Sequence, residues 1–323
     1  MLVRRLRRLT GTWISLLLLA AAALETRALI PLSPKIIKIG LVAPFEGRYR
    51  EIGDQVIPAA RLALRQYLDS RVTGNPIVEI VAYDDGGNIE KAEQQARRLM
   101  SDPDVEIVIG HWRDDTTTAA VEIYGRRHIP LVAYSAYNIG ISKNVYNLAP
   151  SEDQFRSVVN GWFARRSMTG QYVPDSRAGV EQTAIDFTGS HSTGSTEDRV
   201  GGPDHGLGEF YALTRGRATR TYFVTGAPTP RDKIDLYWTT ERTNAFIKGF
   251  ELESLGEPPG QYSTTAYEAT WFAIQMVIKT GLPEDIRREF GSWRFDTTGR
   301  LIGQPAYLYQ WINNSAVLTM VLR

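Results

Sequence analysis

The segment Ile36–Val42 reads IIKIGLV and is followed by Pro44 and Gly47. A short run of β-branched and apolar residues that ends in turn residues is typical of a buried strand. Apolar residues then recur at helical spacing on one face, from Val56 to Tyr67. This part of the chain therefore predicts a strand followed by a helix.

The same strand–helix unit repeats along the first half of the chain. Further strands are predicted at Ile77–Tyr83, Val105–Ile109, Leu131–Ala133 and Val145–Leu148. Helical stripes of apolar residues lie between them, in Ile89–Met100 and in Thr116–Arg127. Alternating strands and helices of these lengths indicate parallel pairing, because each crossover helix covers one face of the sheet. The pattern predicts an α/β fold.

The composition is that of a globular protein and excludes several classes of function. The 323 residues include 37 basic and 36 acidic side chains and no cysteine. Hydrophobic residues make up 43% and charged residues 23%, which are ordinary globular values. A net charge of +1 provides no overall attraction for a phosphate backbone, so no nucleic-acid partner is expected. The lack of cysteine excludes disulfide scaffolds, thiolate zinc sites and cysteine nucleophiles.

The N-terminal segment has the layout of a secretory signal peptide. The basic stretch VRRLRRL at Val3–Leu9 precedes the apolar run WISLLLLAAAAL at Trp13–Leu24, and small residues follow. The apolar run is shorter than the roughly 20 residues that a membrane span needs. We predict a signal peptide over residues 1–28 and a periplasmic or extracellular protein. An N-terminal membrane anchor that is never cleaved is the alternative.

Open parallel sheets bind ligands beyond the carboxyl ends of their strands. That rule selects three loops: Phe45–Gly53, His111–Asp115 and Ser135–Lys143. No glycine-rich nucleotide fingerprint follows the first strand, so no nucleotide cofactor is expected.

The residues that could support catalysis do not form a recognisable pattern. The four histidines, His111, His128, His191 and His205, show none of the paired spacings of a zinc hydrolase, and no Gly-x-Ser-x-Gly nucleophile elbow occurs. We expect His111 to be a structural histidine, with a ligand contact as the alternative, and His191 and His205 to face solvent. The pair Asp84 and Asp85 precedes two glycines and predicts a turn with Asx-type hydrogen bonds.

Eight stretches resemble, in order and spacing, the branched-chain amino-acid-type periplasmic solute-binding proteins of ABC importers. Five lie in the first half: IKIGLVAPFEGRYREIG (Ile37–Gly53), VEIVAYDD (Val78–Asp85), VEIVIGHW (Val105–Trp112), IPLVAYSAYN (Ile129–Asn138) and YNLAPSEDQ (Tyr146–Gln154). Three lie late in the chain: YFVTGAP (Tyr222–Pro228), PPGQYSTTAYEAT (Pro258–Thr270) and TTGRLIGQPAYLYQW (Thr297–Trp311). The resemblance implies a periplasmic binding protein type I fold, in which two Rossmann-like lobes joined by a three-crossover hinge close on a ligand.

The resemblance also implies where the lobes begin and end. Crossovers are expected near Ala149–Ser151, Gly226–Pro230 and Gly303–Ala306. Lobe 1 would comprise residues 36–149 and 228–303, and lobe 2 residues 150–227 and 304–323. Residues 165–206 contain no run of three consecutive apolar residues and are rich in Gly, Ser, Thr, Asp and Arg. We therefore expect this stretch to be irregular and the second lobe to be incomplete.

The family's ligand contacts can be carried over where positions match. The predicted ligand-binding residues are Tyr49, Trp112, Asp114, Asp115, Ser135, Ala136, Tyr137 and Asp204, of which the resemblance implies Asp114, Ser135, Ala136, Tyr137 and Asp204. Asp114 stands where the family has a small hydroxyl residue that bonds the ligand carboxylate, and Ser135-Ala136-Tyr137 stands at the family's Ser-Ala-Thr. Asp204, within GGPDHG, matches the acidic residue that receives the ligand ammonium group.

The two aspartates after the third strand depart from the family pattern. Asp114 and Asp115 place carboxylates where the family receives the ligand's own carboxylate. If Asp114 faces the cleft, a cationic or polar ligand fits better than a plain α-amino acid. Trp112, Tyr134, Tyr137 and Tyr49 would then supply aromatic walls, although we expect Tyr134 to serve in ordinary packing. The alternative is that Asp115 caps a helix beginning at Thr116.

The leading hypothesis is a non-enzymatic, extracytoplasmic substrate-binding protein of an ABC transporter. It would bind an amino acid or related small polar solute between its lobes, without a cofactor, and deliver it to a membrane permease. Three alternatives stay open. They are a ligand-sensing or interaction module held by an N-terminal anchor, a secreted enzyme that uses Asp114, Asp115 or His111, and a truncated family member that binds nothing.

Overall fold

The computed structural model describes residues 35–135, 137, 139, 144–191, 198–232, 238–278 and 293–323. Residues Ile36–Arg323 form one compact unit. The predicted signal peptide, residues 1–28, lies outside the described residues. Within the described ranges, none of the helices combines the length and the apolar character that crossing a bilayer requires.

The first lobe contains five parallel strands with helices between them. The strands are β1 (Ile36–Ala43), β2 (Ile77–Asp84), β3 (Val105–Ile109), β4 (Leu131–Ala133) and β5 (Val145–Asn147). The first three helices are α1 (Arg50–Ser70), α2 (Ile89–Ser101) and α3 (Asp114–Gly125). The strand order is β2-β1-β3-β4-β5. The sheet is parallel throughout.

The second lobe is built on a mixed sheet. Its strands are β6 (Gly170–Val173), β7 (Asp198–Gly201), β8 (Tyr222–Thr225), β9 (Ala306–Ile312) and β10 (Ser315–Leu322). Its helices are α4 (Glu152–Arg165), α5 (Val180–His191) and the short α6 (Gly208–Leu213). The order is β10-β9-β8-β7-β6. The pairs β6–β7 and β7–β8 are parallel, whereas β8–β9 and β9–β10 are antiparallel.

Three connections join the two sheets. The chain leaves the first lobe between β5 and α4 and returns to it after β8. Helices α7 (Thr240–Glu253) and α8 (Gln261–Ile278) then pack on α1, and α8 also contacts β3. The chain finally enters the second sheet at β9. The predicted class, α/β with two lobes joined by three crossovers, is confirmed.

Strand β1 is a continuous apolar run because both faces of its sheet are covered. Alternate residues of a strand point to opposite faces. Ile39 and Leu41 belong to the core cluster that includes residues of α1 and α8, whereas Val42 belongs to the cluster beneath α2 and α3. Helices therefore cover both faces of the sheet, and the loops after β3 and β4 meet at the edge formed by the carboxyl ends of the strands.

The expectation that residues 165–206 are irregular is wrong. This stretch contains β6, α5 and β7, and it ends in a 3-10 turn at Pro203–Gly206. Tyr172 and Val200 are buried in the core of the second lobe, and Val180, Ala184 and Phe187 form an apolar face on α5 at helical spacing. Short strands that bury alternate residues, and a helix with one apolar face, need no run of three apolar residues. That the second lobe is shorter than in the family stays a prediction.

Candidate functional site

A cavity of about 750 Å³ lies between the two lobes. Its first wall comes from the residues that follow β3, Trp112–Asp115, and from Ser135 and Tyr137 after β4. Its second wall comes from residues 174–177 after β6 and from Asp204 after β7. The cavity therefore sits at the carboxyl ends of parallel strands in both sheets, where open α/β sheets bind ligands.

The structure brings most of the predicted site residues together. Six of them line the cavity: Trp112, Asp114, Asp115, Ser135, Tyr137 and Asp204. Tyr49 is buried beside this wall and contacts Arg113. Ala136 lies outside the described residues. The part that these residues play in ligand binding stays a prediction.

Arg113 organises the first wall, although no sequence pattern had singled it out. Its Nε and Nη2 atoms donate to the two carboxylate oxygens of Asp115, at 3.0 and 2.9 Å. Nη1 donates to the Tyr49 hydroxyl at 2.7 Å, and Nη2 also donates to the Arg177 carbonyl at 3.2 Å. Burial alone would lower the pKa of Arg113, but the hydrogen bonds to Asp115 together with the charges of Tyr49, Asp115 and Asp204 outweigh it and raise the pKa. Arg113 and Asp115 thus form a partly buried ion pair with both partners engaged.

The alternative in which Asp115 caps a helix beginning at Thr116 is wrong. Helix α3 begins at Asp114, and Arg113 occupies the N-cap position without a side-chain cap. Asp115 lies in the first turn, where its Oδ1 accepts from the Thr116 N–H at 2.8 Å. Arg113 precedes the helix, and its guanidinium binds the Asp115 carboxylate in the first turn.

Asp114 joins helix α3 to the loop that follows β4. Its Oδ1 accepts a hydrogen bond of 2.6 Å from the backbone N–H of Tyr137. Asp114 also faces the guanidinium of Arg300, whose pKa its charge raises against a larger lowering by burial. Asp114 therefore lines the cleft, and its carboxylate is already hydrogen-bonded to a backbone N–H at the edge of the sheet.

Ser135 ties the loops after β3 and β4 together. Its hydroxyl donates to the Trp112 carbonyl at 3.0 Å, and the residue is buried. The Trp112 indole packs between two tyrosine rings, with centroid distances of 5.3 Å to Tyr49 and 5.7 Å to Tyr262. These contacts hold the aromatic part of the first wall in place.

Asp204 is the buried carboxylate of the second wall. It lies in the 3-10 turn after β7 and is 8% exposed. Within the described residues its side chain has no hydrogen bond and no salt bridge. Burial, and after it the charge of Asp175, raise the pKa of Asp204 well above its usual range, while Arg113 lowers it by less.

His205 was expected to face solvent, and this is wrong. It is 2% exposed, and its Nδ1 lies 3.0 Å from Asp175 Oδ1. The rings of Phe187 and Phe210 pack against the imidazole. Asp175 also accepts from the Asp204 N–H through Oδ2 at 3.0 Å, so it positions the turn that carries Asp204. The side chain of His191 lies outside the part that the structure describes.

The remaining polar residues at the strand ends are structural. The His111 ring contacts Asp85 Oδ2 through Nδ1 at 2.7 Å and the Tyr124 hydroxyl through Nε2 at 3.0 Å, with no exposed surface. Asp84 Oδ1 accepts from the Gly86 N–H at 3.0 Å, and Asp85 Oδ1 from the next glycine N–H at 2.9 Å. The predictions of a structural histidine and of an Asx-type turn are confirmed.

The two lobes are also linked outside the cavity. The Tyr49 hydroxyl accepts from the Val180 N–H at 3.1 Å, and Glu51 Oε2 accepts from the Gly208 N–H at 3.2 Å. Burial raises the pKa of Glu51 to about 7. Arg48 adds an exposed ion pair of 3.2 Å with Glu209. The described conformation is therefore one in which the lobes are closed on each other along this side of the cleft.

A metal centre has no support in the geometry of the described ranges. No group of three or more His, Asp or Glu side chains in them is arranged to hold a metal ion.

A known protein family matches part of this chain in sequence, and known structures resemble it in fold. The family model described as periplasmic binding protein matches residues 36–170. A leucine binding protein from Thermotoga maritima superposes with a TM-score of 0.69 at 15% identity, over 89% of this chain and 99% of that one. This chain has the fold of the type I periplasmic binding proteins. The resemblance to the branched-chain amino-acid-type binding proteins, predicted from the sequence, is confirmed.

Two further transporter binding proteins with solved structures show a similar fold. The branched-chain amino acid transporter substrate binding protein from Streptococcus pneumoniae, in complex with isoleucine, has a TM-score of 0.66 at 16% identity over 90% of this chain and 100% of that one. An ABC transporter solute binding protein from R. palustris, in complex with 4-hydroxybenzoate, has a TM-score of 0.64 at 11% identity over 89% and 96%. No curated protein matches the chain in sequence.

Proposed function

We propose that this chain is a non-enzymatic, extracytoplasmic substrate-binding protein of an ABC transporter. It binds an amino acid or related small polar solute in the interlobe cavity and delivers it to a membrane permease. The observation that carries the proposal is a cavity of about 750 Å³ whose walls come from strand-end loops of both lobes. This volume lies within the range typical of small-molecule sites, roughly 300–1,000 Å³.

The placement of the walls supports a binding cycle based on hinge closure. Trp112 and Asp114 belong to the first lobe, whereas Asp175 and Asp204 belong to the second. A solute that touches both walls stabilises the closed arrangement relative to the open one, because only the closed state offers all the contacts. The closed surface would then be the signal that a permease recognises.

The proteins of the same fold support capture of a small solute. They include a leucine binding protein, a protein in complex with isoleucine and a protein in complex with 4-hydroxybenzoate. The basic and apolar N-terminal stretches, Val3–Leu9 and Trp13–Leu24, support export. A non-enzymatic role is supported by His111, which is fully buried and does not line the cavity, so a bound solute does not reach it.

Titration calorimetry on the exported protein tests the proposal. The panel comprises amino acids, their amides, polyamines and aromatic acids, and we expect saturable heat from at least one of them. Trp112 lines the cavity, so the same ligand should change the intrinsic fluorescence. Asp114→Ala should weaken binding about tenfold without unfolding the protein, because the Tyr137 N–H loses its acceptor.

Asp69→Ala is the matched control, because Asp69 is exposed on α1 and lies outside the cavity wall. Its affinity should equal that of the unmodified protein. No heat and no fluorescence change with any member of the panel would contradict a solute-binding role.

A further inference from the structure

The cavity wall carries more negative than positive groups. Its charged residues within the described part of the chain are five carboxylates and two guanidinium groups: Asp114, Asp115, Glu152, Asp175 and Asp204, with Arg113 and Arg177. Arg113 is bonded to both oxygens of Asp115, and Arg177 is exposed. The interior of the cavity therefore presents an excess of negative charge to a ligand.

Donors that an anionic ligand group would need are occupied by the protein itself. The Tyr137 N–H, after β4, donates to Asp114 at 2.6 Å. The Thr116 N–H, in the first turn of α3, donates to Asp115 at 2.8 Å. Helix N-termini and strand-end amides are the usual binding groups for a carboxylate. Here two of them already hold carboxylates, and a third carboxylate would be repelled by both.

Among the cavity carboxylates, Asp204 differs from the rest in lacking a partner. The other four are paired within the described residues: Asp114 with the Tyr137 N–H, Asp115 with Arg113, Glu152 with Arg156 and Asp175 with His205. Asp204 is 8% exposed, borders the cavity and has neither a hydrogen bond nor a salt bridge to its side chain there. Burying an unpaired carboxylate is costly, and a bound cation removes that cost.

We propose that the ligand of this cavity is an organic cation without a carboxylate group, whose ammonium or guanidinium binds Asp204 while Asp114 occupies the place of a ligand carboxylate. The inference rests on the proposed solute-binding function and narrows its ligand class. Trp112, Tyr137 and Tyr172 border the same cavity. Aromatic rings beside a ligand attract cations, which adds to the preference.

Calorimetry on the full exported chain with three matched pairs tests the inference. The pairs are agmatine and arginine, putrescine and ornithine, and cadaverine and lysine, and within each pair the two molecules differ only in the α-carboxylate. We expect at least one of the amines to bind ten times more tightly than its parent amino acid, and more tightly than leucine, isoleucine or an aromatic acid.

Two variants test whether Asp204 and Asp114 cause the preference for amines. Asp204→Asn should weaken binding of that amine at least thirtyfold, because the cation loses its anionic partner. Asp114→Asn keeps an acceptor for the Tyr137 N–H but removes the charge, so the ratio between amine and amino acid should fall at least threefold. Asp69→Asn, on the exposed face of α1, should change neither quantity.

The outcomes separate this inference from the proposed function. If an amino acid, amide or aromatic acid binds more tightly than all three amines, or if Asp204→Asn leaves amine binding unchanged, the inference is overturned and the solute-binding function stands. If no probe of any class binds, the proposed function itself is wrong and the inference falls with it.

Discussion

The hydroxyl of Tyr49, in the first lobe, accepts a hydrogen bond of 3.1 Å from the backbone N–H of Val180, in the second lobe. The same hydroxyl accepts from Arg113 at 2.7 Å, next to the cavity wall. One buried side chain thus connects the closed arrangement of the lobes with the residue that organises the first wall. Closure and the geometry of the cavity are therefore coupled through Tyr49.

Replacing Tyr49 with phenylalanine should weaken ligand binding. The change leaves the Val180 N–H and one Arg113 N–H without their acceptor in the closed state, and an unsatisfied buried donor costs roughly 1–3 kcal/mol. Because 1.4 kcal/mol is about tenfold in affinity, we expect a loss of about tenfold by calorimetry. Tyr83→Phe is the control, since Tyr83 lies on β2 away from the cavity, with its ring beside Arg98. Equal affinities for the two variants would contradict the coupling.

Replacing Asp204 with asparagine should stabilise the ligand-free protein at alkaline pH. Burial raises the pKa of Asp204, so the folded state binds a proton that the unfolded state has already released. The carboxylate therefore lowers the free energy of unfolding as pH rises. We expect a gain of about 1–3 kcal/mol at pH 8, because the neutral amide avoids the cost of burying an unpaired charge.

That gain should shrink as pH falls toward 4, because the carboxyl of the unfolded state, with its ordinary pKa of 3.8, then takes up the proton as well. Urea unfolding of Asp204→Asn and of the exposed control Asp69→Asn at pH 4 and pH 8 measures the difference. A gain of equal size at both values would show that the charge of Asp204 is not its source.

Glu51 should give the protein a second pH dependence. Burial raises its pKa from 4.5 to about 7 in the folded state. Between these values the folded state holds the proton and the unfolded state does not, so stability falls as pH rises, by up to about 1.4 kcal/mol per unit. Glu51→Gln keeps an acceptor for the Gly208 N–H and should remove this slope.

Urea unfolding at several values from pH 4.5 to 8 compares Glu51→Gln with Glu122→Gln, whose side chain is exposed on α3. The Glu51 variant should become progressively more stable than the control up to about pH 7 and keep a constant advantage above it. Parallel curves for the two variants would rule out Glu51 as the titrating group.

Arg300 should stabilise the hinge. Its guanidinium donates to the carbonyls of Ala149, Pro150 and Tyr137, at 2.6, 3.0 and 3.2 Å. Because lysine lacks the planar fork that reaches several carbonyls at once, Arg300→Lys should lower the free energy of unfolding by about 1–3 kcal/mol. It should also speed amide hydrogen exchange at Ala149 and Ser151.

Arg294→Lys provides the comparison, because Arg294 lies in the same connection but is exposed. Its unfolding free energy and its exchange rates should match those of the unmodified protein. An Arg300→Lys protein that behaves like this control would show that the three carbonyl contacts add nothing to the hinge.

Much of the site could be predicted from the sequence because it depends on local patterns. The apolar run of β1 and the alternation of strands with helices determined a parallel sheet, and the topology of such a sheet places the ends of β3 and β4 side by side. Trp112, Asp114, Ser135 and Tyr137 directly follow those two strands, so their shared location could be predicted without coordinates.

Only the tertiary structure decided which charges the cavity keeps unpaired. Arg113 pairs with the adjacent Asp115, but it also bonds Tyr49, which is 64 residues away. His205 is buried against Asp175, 30 residues before it. Strands β6 and β7 are too short and too polar to be recognised alone; they form because each pairs with a neighbour and buries alternate residues. Burial and pairing depend on segments distant in sequence, so no local pattern could show that Asp204 would be buried without a partner.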